Sequence, residues 1–388
     1  MMDRIVIVGA SAAGSTTAQT LRREGFAGAL TVIGDEPHLP YDRPPLSKQV
    51  LLGTWPVDRT SFGASTAYQE QGIELRLGTK AERLDLDQRA VVLATGEQVS
   101  YDRLVIATGV QPVYLRAGHE LGGVHVLRTL DDAVALRAAL LTASSVVVVG
   151  AGFLGSETAA AASRLGCDVT LVDVEPAPMA KQLGAEVGRL IGELHTANGV
   201  RVATGSGVSE LLGNESVEGV GLTNGSVLKA DLVLIAVGSK PATSWLEDSG
   251  LPLADGVLCD PTCQSVDGVY AAGDVARWPS ARFGLSLRLE HRFNATEQAV
   301  AVARNLLADE AGEARPFDPV PYFWTDQYDA KIQVYGVVPP DPRLVVTRGD
   351  PAQRRFTARY YSGSRVAALL GWNMPRELRT DRGLLTEI

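Results

Sequence analysis

Cysteine is scarce in this chain: Cys167, Cys259 and Cys263 are its three thiols. Three cysteines cannot build a disulfide framework, so a reducing, cytoplasmic setting is the default expectation. No apolar run approaches the ~18 residues needed to cross a bilayer, so no membrane association is expected. The first residues, MMDRIVIVG, are apolar but run straight into a Gly-rich turn without a small-residue cleavage site. They do not read as a signal peptide. Positive charge is in deficit: 36 Lys and Arg face 45 Asp and Glu, leaving a formal charge of −9. That disfavours nucleic acid as the main partner. The sequence shows no short tandem repeat and no low-complexity stretch. Its five histidines show no metal-ligand spacing, so no metal site is expected. What is present is an ordinary globular composition, 45% hydrophobic and 21% charged over 388 residues. At ~150 residues per domain, that length fits two or three domains. Forty glycines point to many tight turns.

Two segments echo each other. Arg4–Gly14 reads RIVIVGASAAG, and Ser145–Gly155 reads SVVVVGAGFLG. Each is an unbroken β-branched run, a Gly-rich turn and a helix-like stretch. A Val/Ile run without polar alternation fits a strand buried on both faces, hence a parallel α/β sheet. Leu104–Gly109 and Leu232–Gly238 form a second echoing pair of apolar strands, and Gly268–Asp274 reads as a strand ending on an acid. The simplest assembly nests one unit inside another. Residues 1–112 and 242–320 make the first, 113–241 the second, and 321–388 a separate tail. The tail is slightly basic, with short alternating runs at Arg343–Thr347 and Phe356–Tyr361 and Pro-rich turns. It reads as a small antiparallel α+β domain.

The second Gly motif is Gly150-Ala151-Gly152-Phe153-Leu154-Gly155, between a strand and a helix. That is the context a dinucleotide fingerprint requires. Its first Gly permits the tight turn, its second lets backbone approach a pyrophosphate, and its third lets helix and strand pack closely. The pyrophosphate then sits at the positive helix N-terminus. Asp173 closes the next strand, where a carboxylate accepts from a ribose 2′-OH and repels a 2′-phosphate. This favours NADH over NADPH. The first motif, Gly9-Ala10-Ser11-Ala12-Ala13-Gly14, has Ser11 in place of the middle Gly, with Asp35 expected to end the next strand. Two such motifs imply two dinucleotides, naturally a bound flavin and a diffusing nicotinamide.

Tyr41-Asp42-Arg43-Pro44-Pro45-Leu46-Ser47-Lys48 resembles the YxRPPLSK stretch of FAD-dependent ferredoxin reductases. These putidaredoxin reductase-like flavoproteins serve cytochrome P450 and Rieske oxygenase systems. The resemblance continues through Asp102–Gly109, Tyr270–Val275, Arg288–His291 with Asn294, Glu297 and Gln298, and the segment FWTDQY at Phe323–Tyr328. It spans essentially the whole chain. It implies a glutathione reductase-like fold: two nested Rossmann-like domains, FAD-binding (1–112 and 242–320) and NADH-binding (113–241), plus a C-terminal α+β domain (321–388). It also implies contacts to FAD from Gly9, Ser11, Ala13, Gly14, Asp35, Arg43, Lys48, Ala81, Thr108, Gly109, Arg128, Gly273 and Asp274. His291, Arg292 and Trp324 would lie by the flavin. NADH would be held by Gly150, Gly152, Phe153, Leu154, Gly155, Asp173, Gly238 and Glu290. Lys48 and Glu157 would pair beside flavin N5 as the catalytic groups. A Lys there stabilises negative charge on the reduced ring, and a carboxylate keeps that Lys from being an unpaired buried charge.

Bland readings stand beside these. Lys48 alone would be a solvated lysine, Glu157 a first-turn helix acid favoured by the dipole, and Trp324 a core residue. His291 either lines the flavin site or fills it. The sequence departs from the pattern at Ser11 and at Arg292, where many relatives carry Trp or Val. Relatives that use thiol chemistry place a CxxxxC pair or a single Cys after the first unit, and the Arg43–Lys48 stretch has none. Cys259 and Cys263 therefore read as ordinary buried thiols. The implied activity is NADH:ferredoxin oxidoreduction, with a [2Fe–2S] ferredoxin as partner and a monomer or weak homodimer as assembly. The rivals are another acceptor (rubredoxin, a quinone or O₂) or an NADH-sensing redox protein. An acidic chain docks an acidic ferredoxin through a local basic patch. Candidates are Arg22, Arg23, Arg354, Arg355, Arg376, Arg379 and Arg382, each otherwise part of a solvated face.

Overall fold

A computed structural model describes residues 3–308 and 312–385. The chain divides into two compact units, each discontinuous in sequence. One holds the residues up to Asp42 with Thr60–Gln111 and Lys240–Pro321. The other holds Arg43–Arg59, Pro112–Ser239 and the residues from Tyr322 onward.

The first unit is built on a six-stranded sheet. Its order is Gln264–Val266, Val269–Ala271, Arg103–Ile106, Arg4–Val8, Ala29–Ile33 and Ile73–Arg76. All neighbours are parallel except the first pair. The central strand Arg4–Val8 pairs on both sides, Val6 opposite Thr31 and Leu104. A strand buried on both faces explains its unbroken Ile/Val run. Helices Ala12–Arg23 and Arg292–Ala308 pack against each other in this unit. Ala81–Asp85, Ala90–Leu93 and Gln98–Ser100 add a three-stranded antiparallel sheet. Its Leu84, Val91 and Leu93 share a core with Val6, Ile33, Leu104 and Ile106.

The second unit repeats the plan with five parallel strands. Their order is Arg201–Thr204, Asp168–Asp173, Ser145–Val149, Leu232–Ile235 and Val124–His125. Helix Phe153–Arg164 follows the central strand. The tail forms a five-stranded antiparallel sheet, ordered Tyr322–Gln327, Ala330–Gly336, Arg365–Trp372, Arg355–Ser362 and Arg343–Asp350. Helix Pro375–Asp381 follows it. The alternation of Phe323, Thr325 and Gln327, all buried, places one face of the first tail strand in the interior. Ile332, Val334, Phe356, Leu370 and Trp372 share a core with Val187, Leu190, Ile191 and Leu194 of helix Ala185–Ala197. By compactness the tail, the inner sheet and Arg43–Arg59 therefore make one unit, a grouping that linear order does not suggest.

Among the described residues, no helix is long and apolar enough to cross a membrane.

Candidate functional site

The two Gly motifs have the same backbone geometry. A Cβ at Gly14 would stand 1.8 Å from the Gly9 carbonyl oxygen, and one at Gly155 the same 1.8 Å from that of Gly150. Gly9 and Gly150 have φ of +114° and +98°, and a Cβ on them would meet Ala107 O at 2.1 Å and Ala236 O at 2.2 Å. Only glycine fits these four places, because the turn, its helix and the neighbouring strand converge there. The middle position differs. A Cβ at Gly152 would meet nothing nearer than Gln182, at 3.5 Å. Packing does not require glycine there, which leaves the approach open to a ligand. Ser11 takes the equivalent place in the first motif, as N-cap of Ala12–Arg23.

In the first unit, strand pairing stops at Ile33, so Asp35 does not end the strand as expected but lies exposed two residues beyond it, and Ala13 and Ala81 are buried. Thr108 donates to Ala242 O at 3.0 Å, ahead of Gly109 in a positive-φ turn. Gly273, also at positive φ, donates its N–H to Gln298 Oε1 at 2.9 Å, which fixes the turn carrying Asp274. Glu290 pairs with Arg288 at 2.8 Å. Desolvation pushes the neighbouring His291 imidazole down to about 4, against a smaller opposing pull from Glu290. Arg292 opens helix Arg292–Ala308. Its guanidinium bonds Asp42 and Thr296 and lies over Phe62, 5.2 Å from the ring centre. The departure at Arg292 is thus absorbed by an ion pair with the acid of the YDRPP stretch.

In the second unit, Asp173 ends its strand as the spacing predicts. Its carboxylate accepts from Ala151 N at 2.5 Å and Glu175 N at 2.9 Å, tying the strand end to the Gly-rich turn. Two acceptor positions on each oxygen leave capacity for ribose hydroxyls. Phe153 and Leu154 form the first helical turn, and Gly238, at φ +119°, follows strand Leu232–Ile235. Arg43 donates to Arg128 O at 2.5 Å. Trp324 stacks on Tyr322 with the ring centres 6.0 Å apart.

Lys48 and Glu157 meet, Nζ to Oε2, at 2.6 Å, with side chains 12% and 8% exposed. Pro44 and Pro45 precede a short π-helix, Leu46–Val50, that carries Lys48, and helix Phe153–Arg164 carries Glu157. Two residues with no role assigned from sequence complete the cluster. Ser47 donates to Glu157 Oε2 at 2.5 Å, and Thr325 to Oε1 at 2.9 Å. Both belong to the segments that carry the resemblance. Their signal was the hydroxyl itself, since a hydroxyl beside an acid in a buried site has a partner to satisfy.

The remaining sequence candidates resolve simply. Arg22 clamps the carbonyls of Phe26, Gly28 and Gly72 at 2.6, 2.9 and 2.7 Å, which gives it a structural part. Arg354 and Arg355 reach the carbonyls of Glu193 and Asn373. Arg376 and Arg379 are exposed on the C-terminal helix. Burial pushes the free thiols of Cys259 and Cys263 upward, which makes them poor nucleophiles. Among the described residues, no group of three or more His, Cys, Asp or Glu could hold a metal ion.

This arrangement of two dinucleotide folds with a sheet-forming tail is a flavoprotein oxidoreductase plan. The pyridine nucleotide-disulphide oxidoreductase family model matches residues 3–300, and the reductase C-terminal model matches residues 322–387. The chain is 39% identical to a ferredoxin–NAD(P)(+) reductase of a Sphingomonas species, over 94% of this chain and 88% of that protein. It is 37% identical to the ferredoxin–NAD(+) reductase component of the p-cumate 2,3-dioxygenase system of Pseudomonas putida, over 98% and 92%. The structure of putidaredoxin reductase in covalent complex with putidaredoxin superposes with a TM-score of 0.94 at 33% identity, covering 99% and 93%. That of the ferredoxin reductase for the CYP199A2 system of Rhodopseudomonas palustris superposes at 0.91 with 36% identity, covering 96% and 91%. The chain belongs to the pyridine nucleotide-disulphide oxidoreductase family, within its ferredoxin–NAD(P)(+) reductases. It is an oxidoreductase whose cofactors are FAD and a nicotinamide dinucleotide.

Proposed function

We propose that this chain is an NADH:ferredoxin oxidoreductase that passes electrons to a [2Fe–2S] ferredoxin serving a cytochrome P450 or a Rieske oxygenase. The observation that carries the reading is the nearly buried Lys48–Glu157 pair, built from two segments of the resemblance. Bound FAD supplies the link between a two-electron donor and a one-electron acceptor. The protein's own residues bind, orient and exclude water.

Residues 1–112 and 242–320 form the FAD-binding part, 113–241 the NADH-binding part and 321–388 the C-terminal domain. Gly9, Ser11, Ala13 and Gly14 cradle the FAD pyrophosphate at the N-terminus of helix Ala12–Arg23. Asp35 takes the ribose, and Asp274 follows the turn set by Gly273 and Gln298. Arg43, Ala81, Thr108, Gly109 and Arg128 complete the FAD contacts, with His291, Arg292 and Trp324 near the flavin. Gly150, Gly152 and Gly155 do for NADH what the first motif does for FAD, with Phe153, Leu154 and Gly238 beside them. Glu290 is assigned to the nicotinamide end. Lys48 presents its ammonium to the flavin and stabilises charge there after reduction. Glu157 holds that ammonium in place and prevents it from being a lone buried cation. No side-chain acid or base is needed, so alignment of the two rings is the protein's main contribution. The three free thiols suit a reducing cytoplasm.

Asp173 selects NADH, since its carboxylate accepts from a ribose 2′-OH and repels a 2′-phosphate. In Asp173→Ala the ratio of kcat/KM for NADH to that for NADPH should fall about tenfold, the ~1.4 kcal/mol of one lost discriminating contact. A wild-type protein that uses NADPH as well as NADH, or a variant with an unchanged ratio, would contradict the assignment.

A further inference from the structure

Glu157 is 7% exposed, so water does little to share its carboxylate charge. Three side chains do so instead. Lys48 Nζ and Ser47 Oγ both donate to Oε2, at 2.6 and 2.5 Å, and Thr325 Oγ1 donates to Oε1 at 2.9 Å. Thr325 and Ser47 are themselves buried, at 1% and 3% exposure. The direction of the Thr325 hydroxyl is set from its other side. Gln327 Nε2 donates to Thr325 Oγ1 at 3.2 Å, so the single hydroxyl hydrogen goes to Glu157. Gln327 is 1% exposed and also contacts Met179 Sδ at 3.4 Å, which holds the amide in place. On the other oxygen, Lys48 Nζ lies 3.2 Å from Ser47 Oγ.

A buried carboxylate with one cationic partner draws that cation fully onto itself. Hydroxyl donors on both oxygens take up part of its charge and leave more of the ammonium's field for a third group. An ammonium carries three N–H donors. Glu157 and Ser47 occupy two, and one remains on a side chain that is 12% exposed.

We infer that Thr325, oriented by Gln327, is a positioning residue for the electron-transfer reaction: it anchors Glu157 through Oε1, so that Lys48 is held through Oε2 with one N–H left for the flavin. The inference rests on the reading of Lys48 as the flavin-facing group. Thr325 touches neither cofactor in this account and acts only through Glu157.

Thr325→Val keeps the side-chain shape and removes the donor. More negative charge then stays on Glu157 and offsets more of the Lys48 charge. The flavin midpoint potential should fall, and the first-order rate of flavin reduction by NADH should fall about tenfold, with the Kd for NADH unchanged. Thr325→Ser should restore the potential and the rate. In a Lys48→Met background, Thr325→Val should add nothing further. If Thr325→Val does not fold, Ser47→Ala removes the donor on the other oxygen and should shift the potential the same way. A wild-type potential and rate in a folded Thr325→Val or Ser47→Ala protein overturns the inference, as does an equal shift in the Lys48→Met background. A Lys48→Met protein with an unchanged potential instead overturns the flavin-facing reading itself, which separates the two failures.

Discussion

A methyl group at Gly155 would stand 1.8 Å from a carbonyl oxygen, whereas one at Gly152 would have 3.5 Å of room. The two glycines of one fingerprint therefore do different work. Gly155 is fixed by packing of helix on turn, whereas packing leaves Gly152 free, as the NADH role proposed for it requires. Gly152 has φ −72°, which any residue adopts. Gly155→Ala should cost about 3 kcal/mol of stability or more, as forced overpacking does. Gly152→Ala should unfold at the wild-type temperature yet bind NADH more weakly. Thermal unfolding with NADH titration tests both, and equal stability losses, or an unchanged NADH Kd in Gly152→Ala, would count against the distinction. The packing role of Gly155 was legible in the sequence because it depends on local spacing. The partners of Glu157 were not. Ser47, Glu157 and Thr325 lie far apart in the chain, and only tertiary folding decides which hydroxyl reaches which oxygen. The pairing of Arg292 with Asp42 was hidden for the same reason.

At the scale of elements, the central strands were readable from their unbroken Val/Ile runs, and the tail strands from their alternation. The packing of the tail on helix Ala185–Ala197 was not, since an apolar helix face does not name its partner. That interface has a titratable group. His195 is fully buried on the helix, and its Nδ1 lies 3.0 Å from the hydroxyl of Tyr328, in the turn after the first tail strand. Desolvation pushes its imidazole down to about 4, against a smaller opposing effect from Gln327. In the unfolded chain the imidazole binds a proton below about 6.5. Between these values the unfolded state holds the extra proton, so stability falls as pH drops through the window. The loss approaches ~3 kcal/mol at the lower end. Urea unfolding at pH 7 and at pH 4.5 should show this loss, and His195→Asn should remove that part of the acid sensitivity. An equally acid-sensitive His195→Asn protein would contradict it.

At the scale of the molecule, the repeated strand–turn–helix segments made two dinucleotide folds legible. The compact grouping of Arg43–Arg59 with the inner sheet and the tail was not, because the chain leaves and re-enters each unit. That grouping brings Lys48 to Glu157 and Thr325. The whole chain is acidic, at −9, so an acidic partner needs local basic groups such as Arg376 and Arg379. The central claim is electron delivery from NADH to a ferredoxin. The most direct measurement is NADH-driven cytochrome c reduction by the FAD-loaded protein, with and without added [2Fe–2S] ferredoxins. The account predicts a rate that is slow alone and rises steeply with a matching ferredoxin. Rapid reduction of the flavin by NADH with no stimulation by any of several ferredoxins would contradict it, and would point to another acceptor or to NADH sensing.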